Sequence, residues 1–221
     1  METLEKKRMS GDMIKELYVI LHPIFDEHKT GITMIITIAR QCGCDAESVG
    51  RLLADFYGVP LYTRKDFLAK ARSMGQYDEM YDFFSEHPID DFAMAVTMQE
   101  SVTREVRQRL RKAVNDFVGN EDCIIVGRCG NIILDNRKDL TSVFLHAPHA
   151  VRVDRIASRH QLSREDATER VDRIDEERRS YHSYYTGHTW GNAAEYDLSI
   201  NVHRFGADAT ARIIEQALEA K

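Results

Sequence analysis

Five short apolar runs rich in β-branched residues, separated by stretches of helical periodicity, constrain this chain most. The runs are Met34-Ile35-Ile36-Thr37-Ile38, Val59-Pro60-Leu61-Tyr62, Cys123-Ile124-Ile125-Val126, Ser142-Val143-Phe144-Leu145 and Leu198-Ser199-Ile200-Asn201. Nearly continuous apolarity, rather than strict alternation, marks strands buried on both faces. Val49, Leu52, Leu53, Phe56 and Tyr57 recur at helical spacing after the first run, and Gly58 stops that helix. Residues 101–118 repeat the pattern with Val102, Val106, Leu110, Ala113, Val114 and Phe117. Residues 163–185 read as one long charged helix, and Phe205 to Leu218 as a closing one. Strands alternating with helices predict an α/β fold around a parallel sheet.

Within that frame, residues 34–58 read as strand, tight loop and helix. The loop is Arg40, Gln41, Cys42, Gly43, Cys44 and Asp45, running into Ala46, Glu47 and Ser48. A helix N-terminus after such a loop offers free N–H groups and the positive end of a dipole, which suits a phosphate. It lacks the Gly-Lys-Ser/Thr ending of the usual phosphate-binding loop. The plainer alternative is a β-α turn with Asp45 or Ser48 capping the helix. Ligands of open α/β sheets bind beyond the carboxyl ends of the strands. Arg128, between Gly127 and Gly130 after the third run, falls there, and so do His146 and His149 around Pro148 after the fourth. An arginine fork suits phosphate better than a lysine does. The two histidines lack identifiable partners and are expected to be structural or exposed.

Residues 152–179 carry Arg152, Arg155, Arg159, Arg164, Arg170, Arg173, Arg178 and Arg179, and an equal number of acids. Intrahelical ion pairs account for much of this series. An arm closing arginines over a polyphosphate would have the same composition. Tyr181, Tyr184, Tyr185, Trp190 and Tyr196 form either a stacking surface or a seam fastening the arm to the sheet; the seam is expected for Trp190 and Tyr196. Asp197 and Asn201 could contact a ligand.

The chain is long enough, at 221 residues, for one core with an insertion. Residues 1–30 stand apart as a helical extension with Met13, Ile14, Leu17, Tyr18 and Leu21 on one face, a surface for docking or self-association. A net charge of -6 argues against a general nucleic-acid partner. No run is long enough to span a membrane, and no signal-peptide pattern is present, so the cytoplasm is expected. The cysteines at 42, 44, 123 and 129 are expected as free thiols. Cys42, Cys44 and Cys129 lack the paired spacing of zinc sites, so no metal is expected from them.

The segments IITIARQCG, IIVGRCGNIIL, VFLHAP, the Arg152-x-x-Arg155 helix, DRIDEERRSYHSYYTGHTWG and YDLSIN, in that order, resemble the cytidylate kinase-like family of P-loop nucleoside monophosphate kinases. The resemblance runs from about Met34 to the C-terminus. It implies a three-layer fold with a five-stranded parallel sheet in residues 31–221, a monophosphate-binding segment at about 62–100 and a lid at about 157–165. It further implies Mg2+ with ATP as the donor, and CMP or dCMP as the acceptor. Arg128 matches the arginine of the family's Gly-Arg-Asp segment, which holds the acceptor phosphate; the acid of that segment is Cys129 here. Asp175 and Arg178 match an aspartate and an arginine that contact the nucleotide. Arg152, Arg155 and Arg159 resemble lid-side arginines that meet donor phosphates, and Arg40 would stand in for the lysine.

The resemblance departs at the loop. The family branch reads Arg-Gln-x-Gly-Ser-Gly-Gly-Arg, already without lysine; here Cys44, Asp45, Ala46 and Glu47 replace its later residues. The lysine position of cytidylate kinases falls on Ala46, and the magnesium-binding hydroxyl on Ser48 or Glu47. After strand two the usual Tyr-Asp is Tyr62-Thr63. Two acids near incoming phosphates are unfavourable unless magnesium screens them. Three functions stay open on the sequence. They are a nucleoside monophosphate kinase-like phosphotransferase, an inactive nucleotide-binding or regulatory module on the same fold, and a kinase of another small molecule.

Overall fold

The computed structural model describes residues 34–73, 83 and 100–220. The N-terminal extension, most of the segment between residues 73 and 100, and the side chains of Val102 and Val106 lie outside the described residues. The chain divides between Ile32 and Thr33, and every described residue belongs to the second unit.

In chain order the elements are β1 (Ile35–Arg40), α1 (Ala46–Tyr57), β2 (Leu61–Tyr62), α2 (Arg64–Ser73), α3 (Glu100–Val118), β3 (Cys123–Val126), α4 (Gly130–Ile133), β4 (Leu140–His146), α5 (His149–His160), α6 (Arg164–Thr186), β5 (Leu198–Asn201) and α7 (Val202–Glu219). A 3-10 turn, Ala193–Glu195, precedes β5. The five strands form one sheet in the order β2-β3-β1-β4-β5, every neighbouring pair parallel. The parallel α/β sheet expected from the sequence is therefore present. β1 is longer than its apolar run because the β4 ladder carries pairing on to Arg40↔Leu145. Likewise β4 starts at Leu140, opposite Ile35, ahead of Ser142. β2 is shorter than its run, since Pro60 has no N–H to add to the ladder.

Successive β1 side chains enter opposite layers. Ile35, Cys123 and Ile125 pack with Leu110, Val114 and Phe117 of α3 and with Tyr181 and Tyr185 of α6. Ile36, Ile38, Ile124, Val126, Val143 and Leu145 pack with Val49 and Leu53 of α1 and Ile214 of α7. Helices thus cover both faces, giving three layers. A smaller cluster joins Cys42 to Val153 and Ile156 of α5 and to Ala167 and Val171 of α6. It holds the α5–α6 hairpin against the loop that follows β1.

Local chemistry sets the helix ends. Ser163 caps α6 by accepting from the Asp166 N–H, and its hydroxyl donates back to the Asp166 carboxylate. Asn201 Oδ1 caps α7 by accepting from His203 N and Arg204 N. Asp197 Oδ2 accepts from Ser142 N at 2.8 Å and Ser142 Oγ at 3.1 Å, fastening the approach to β5 onto β4. Both residues considered for ligand contact thus have structural work. Trp190 and Tyr196 pack on Phe144 with ring centroids 5.5 and 5.1 Å away, the seam expected for them.

Candidate nucleotide-binding site

The loop after β1 is bound to the α5–α6 hairpin by a row of arginines. Arg178 Nη1 donates to the Arg40 carbonyl at 3.1 Å, and Arg155 Nη1 to the Gly43 carbonyl at 2.8 Å. Arg152 Nη1 donates to the Cys42 carbonyl at 3.3 Å, while its Nε donates to the Ala147 carbonyl at 3.1 Å. Arg159 Nη2 reaches the Asp45 carboxylate at 2.8 Å. Gln41 Oε1 accepts from Ala147 N at 3.2 Å, tying the loop to the end of β4. Arg152, Arg155 and Arg159 follow one another at helical spacing on α5, so one face of that helix serves Cys42, Gly43 and Asp45 in turn.

The loop amides divide into two sets. Cys42 N donates to Asp175 Oδ1 at 2.7 Å, and Cys44 N to the Gln41 carbonyl at 3.3 Å. The amides of Gly43, Asp45, Ala46 and Glu47 find no acceptor among the described residues. With the carbonyls of Arg40, Cys42 and Gly43 held by arginines, these amides at the start of α1 are left as donors of the kind that can bind an anion. The plainer expectation, a side-chain cap by Asp45 or Ser48, is not what forms: Asp45 occupies the cap position in a left-handed conformation with no side-chain cap.

Asp45 lies within this row of amides. Burial works to raise its carboxyl pKa. Hydrogen bonds from Arg159 and Ser48, with the charges of Arg159 and Arg155, outweigh burial and hold it below the usual carboxylate range. Glu47 is exposed. Cys42 and Cys44 are buried thiols, and burial pushes Cys44 up to about 11. Neither is a reactive thiolate near neutral pH. The cysteines are free, as expected.

Arg128 is the largest fully buried side chain among the described residues, 1% exposed, with its guanidinium carbon 5.7 Å from the centroid of Phe67. Gly127, Arg128 and Cys129 all adopt positive φ (88°, 61° and 51°). Two consecutive non-glycine residues in this region mark a strained turn that the surroundings must enforce. β1 and β3 are neighbours paired at Ile38↔Val126. Arg40 and Arg128 each follow that pair by two residues, so the two loops leave the sheet side by side.

Asp175 and Arg152 form a buried pair, Nη1 to Oδ2 at 2.6 Å, with side chains 10% and 6% exposed. Sequence reasoning placed Arg152 toward phosphate and Asp175 toward an acceptor; in the fold both are turned onto the loop backbone. Arg155 and Arg159 are more open. His149 pairs with Asp172 at 2.7 Å on the surface, one of the two settings, structural or exposed, expected for it.

A second polar cluster was not legible in the sequence. His182, 2% exposed, lies near Glu195 and His188, and burial pushes its pKa down to about 4. Asn131 Nδ2 donates to the Glu195 carbonyl at 3.5 Å, and His188 Nδ1 meets Glu195 Oε1 at 3.1 Å. These groups pin the 187–197 segment beneath the aromatic seam.

The profile of the Cytidylate kinase-like family matches residues 35–204. The chain belongs to that family. Among curated cytidylate kinases, that of Thermococcus sibiricus is 28% identical over 190 residues, covering 84% of this chain and 88% of its own. That of Methanopyrus kandleri is 27% identical over 198 residues, covering 85% and 94%. That of Methanothermobacter thermautotrophicus is 28% identical over 179 residues, covering 80% and 100%. A solved structure of an uncharacterized protein from Eubacterium ventriosum superposes with a TM-score of 0.64 at 22% identity, covering 86% of this chain and all of that one, and so shares the fold. Membership in the cytidylate kinase-like family agrees with the resemblance read from the sequence. No helix among the described residues is long and apolar enough to cross a membrane.

Proposed function

We propose that the protein is a nucleoside monophosphate kinase-like phosphotransferase that moves the terminal phosphoryl group of ATP to CMP, dCMP or a related monophosphate. The observation that carries this reading is the pairing of β1 with β3, which sets the open amide row after β1 beside Arg128 after β3. Two such loops at the carboxyl ends of neighbouring interior strands suit a donor and an acceptor phosphate. An acceptor phosphate oxygen attacks the γ-phosphorus, and ADP leaves with the bridging oxygen. Such chemistry depends on positioning and on charge stabilisation.

In this reading the amides of Gly43, Asp45, Ala46 and Glu47 hold donor phosphate. Arg155 and Arg159 neutralise it from α5, with Arg40 at the end of β1, and Arg128 and Arg178 face the acceptor. Ser48 hydrogen-bonds Asp45, so two hard oxygen donors sit at the start of α1, the kind magnesium takes alongside phosphate oxygens. Ser48 and Asp45 would hold Mg2+, which would screen the β- and γ-phosphate charge. Binding donor phosphate requires Arg159 to exchange the Asp45 carboxylate for a phosphate oxygen.

That same contact favours a second reading, a nucleotide-binding module without transfer, because Asp45 places a carboxylate at the mouth of the donor site. A transfer assay with Mg-ATP and a panel of nucleoside monophosphates, resolved by chromatography, separates the two. The kinase reading expects CDP or dCDP that disappears in Arg128→Ala. Monophosphate binding without any diphosphate would support the module.

A further inference from the structure

We propose that Asp175 is a positioning residue of the donor phosphate loop and not a ligand of the acceptor nucleotide. Its two carboxylate oxygens serve one closed ring of contacts. Oδ1 accepts the Cys42 N–H at 2.7 Å, Oδ2 accepts from Arg152 Nη1 at 2.6 Å, and the same Nη1 donates to the Cys42 carbonyl at 3.3 Å. Both the donor and the acceptor of one loop residue are thus held by a single ion pair between α5 and α6. The pair is nearly out of solvent, so charge and hydrogen bonding act there at low dielectric, and each member depends on the other.

Packing points the same way. The Cys42 side chain is buried among Val153, Ile156, Ala167 and Val171 of the hairpin. A Cβ on Gly43 would meet Arg152 O at 3.0 Å and Arg152 Cβ at 3.1 Å, so loop and α5 backbone are in direct contact. Asp175 therefore fixes where the loop lies, and through it which amides are left for a phosphate. By taking the Cys42 amide away from the row, it sets the boundary of the anion site. The nucleotide consequences rest on the proposed kinase reading; the mechanical consequence for the loop does not.

Two readouts on the full-length protein test this together. Iodoacetamide labelling of the native protein, followed by peptide mass spectrometry, reports how often the loop opens at Cys42 and Cys44, with Cys123 in β3 as internal reference. Isothermal titration reports ATP and CMP affinity separately. In Asp175→Ala, labelling of Cys42 and Cys44 is expected to accelerate about tenfold or more at an unchanged Cys123 rate, because opening is local. ATP affinity is expected to fall about tenfold while CMP affinity stays within about twofold. Asp175→Asn keeps an acceptor for the Cys42 N–H and should fall between this variant and the parent.

Unchanged labelling with a selective loss of CMP affinity would overturn the proposal and make Asp175 an acceptor ligand. Equal acceleration at all of the cysteines in both variants would also overturn it, by making the residue a support of the whole domain. If the parent protein binds neither nucleotide, the kinase reading fails and the labelling pattern alone decides the role of Asp175.

Discussion

Gly43 answers two geometric demands at once. Its φ is +81°, and a Cβ there would press on the backbone of Arg152. Gly43→Ala is therefore expected to cost about 1–3 kcal/mol of stability by denaturant titration and to weaken ATP binding more than CMP binding. At Asp45 the demand is reversed, since a non-glycine residue holds φ of 53° while its carboxylate pairs with Arg159. The ion pair with Arg159 is partly exposed and is worth under about 1 kcal/mol. Asp45→Gly should thus leave stability within about 1 kcal/mol of the parent while tightening magnesium-free ATP several-fold and reducing the gain in affinity that Mg2+ brings, both read by titration. His182 supplies a pH dependence. Its pKa is lowered from 6.5 to about 4 in the fold, so the unfolded chain binds the proton more readily between those values. Stability that is complete above about 6.5 is lost as pH falls toward about 4, by on the order of 3 kcal/mol. His182→Gln should flatten that part of the stability–pH curve measured by thermal melts.

Among the elements, hydrophobic periodicity reports strands and helices well because burial on a sheet face or helix stripe is a local property of the sequence. The runs at 123–126 and 198–201 match β3 and β5 residue for residue. Capping is equally local: Ser163 precedes α6 and Gly187 follows it. Asn201→Ala should cost about 1 kcal/mol, read by denaturant titration, through loss of the two hydrogen bonds that start α7. Pairing partners are not local, and this limits what can be read. Nothing in the composition of residues 152–179 separates arginines that grip a loop carbonyl from those that pair along the helix. Arg173 with Glu177 is such a helical pair, whereas Arg152, Arg155 and Arg178 turn inward. The inward choice depends on where β1 delivers its loop, a fact of topology rather than of α5 or α6. The kink at Gly206, with φ 76° and ψ 172° inside α7, was equally invisible to a periodicity that continues through it.

At the scale of the molecule, the candidate site was legible as a set of loops at the carboxyl ends of parallel strands, because sheet topology dictates that location. The internal engagement of Arg152, Asp175 and the loop backbone was not, since it joins residues more than a hundred positions apart. Sheet order has another consequence, which concerns force. The described chain enters the sheet through β1, its middle strand, and leaves through β5, an edge. Tension drawn along the chain from its C-terminal end would peel α7 and β5 away against a single ladder. β1 is gripped by β3 on one side and β4 on the other, and both ladders must shear together before it moves. β5 is thus held on one side, whereas the strand that carries the loop is held on both. An unfolding machine that starts at the C-terminus would dismantle the rest of the sheet edge before it disturbs that strand.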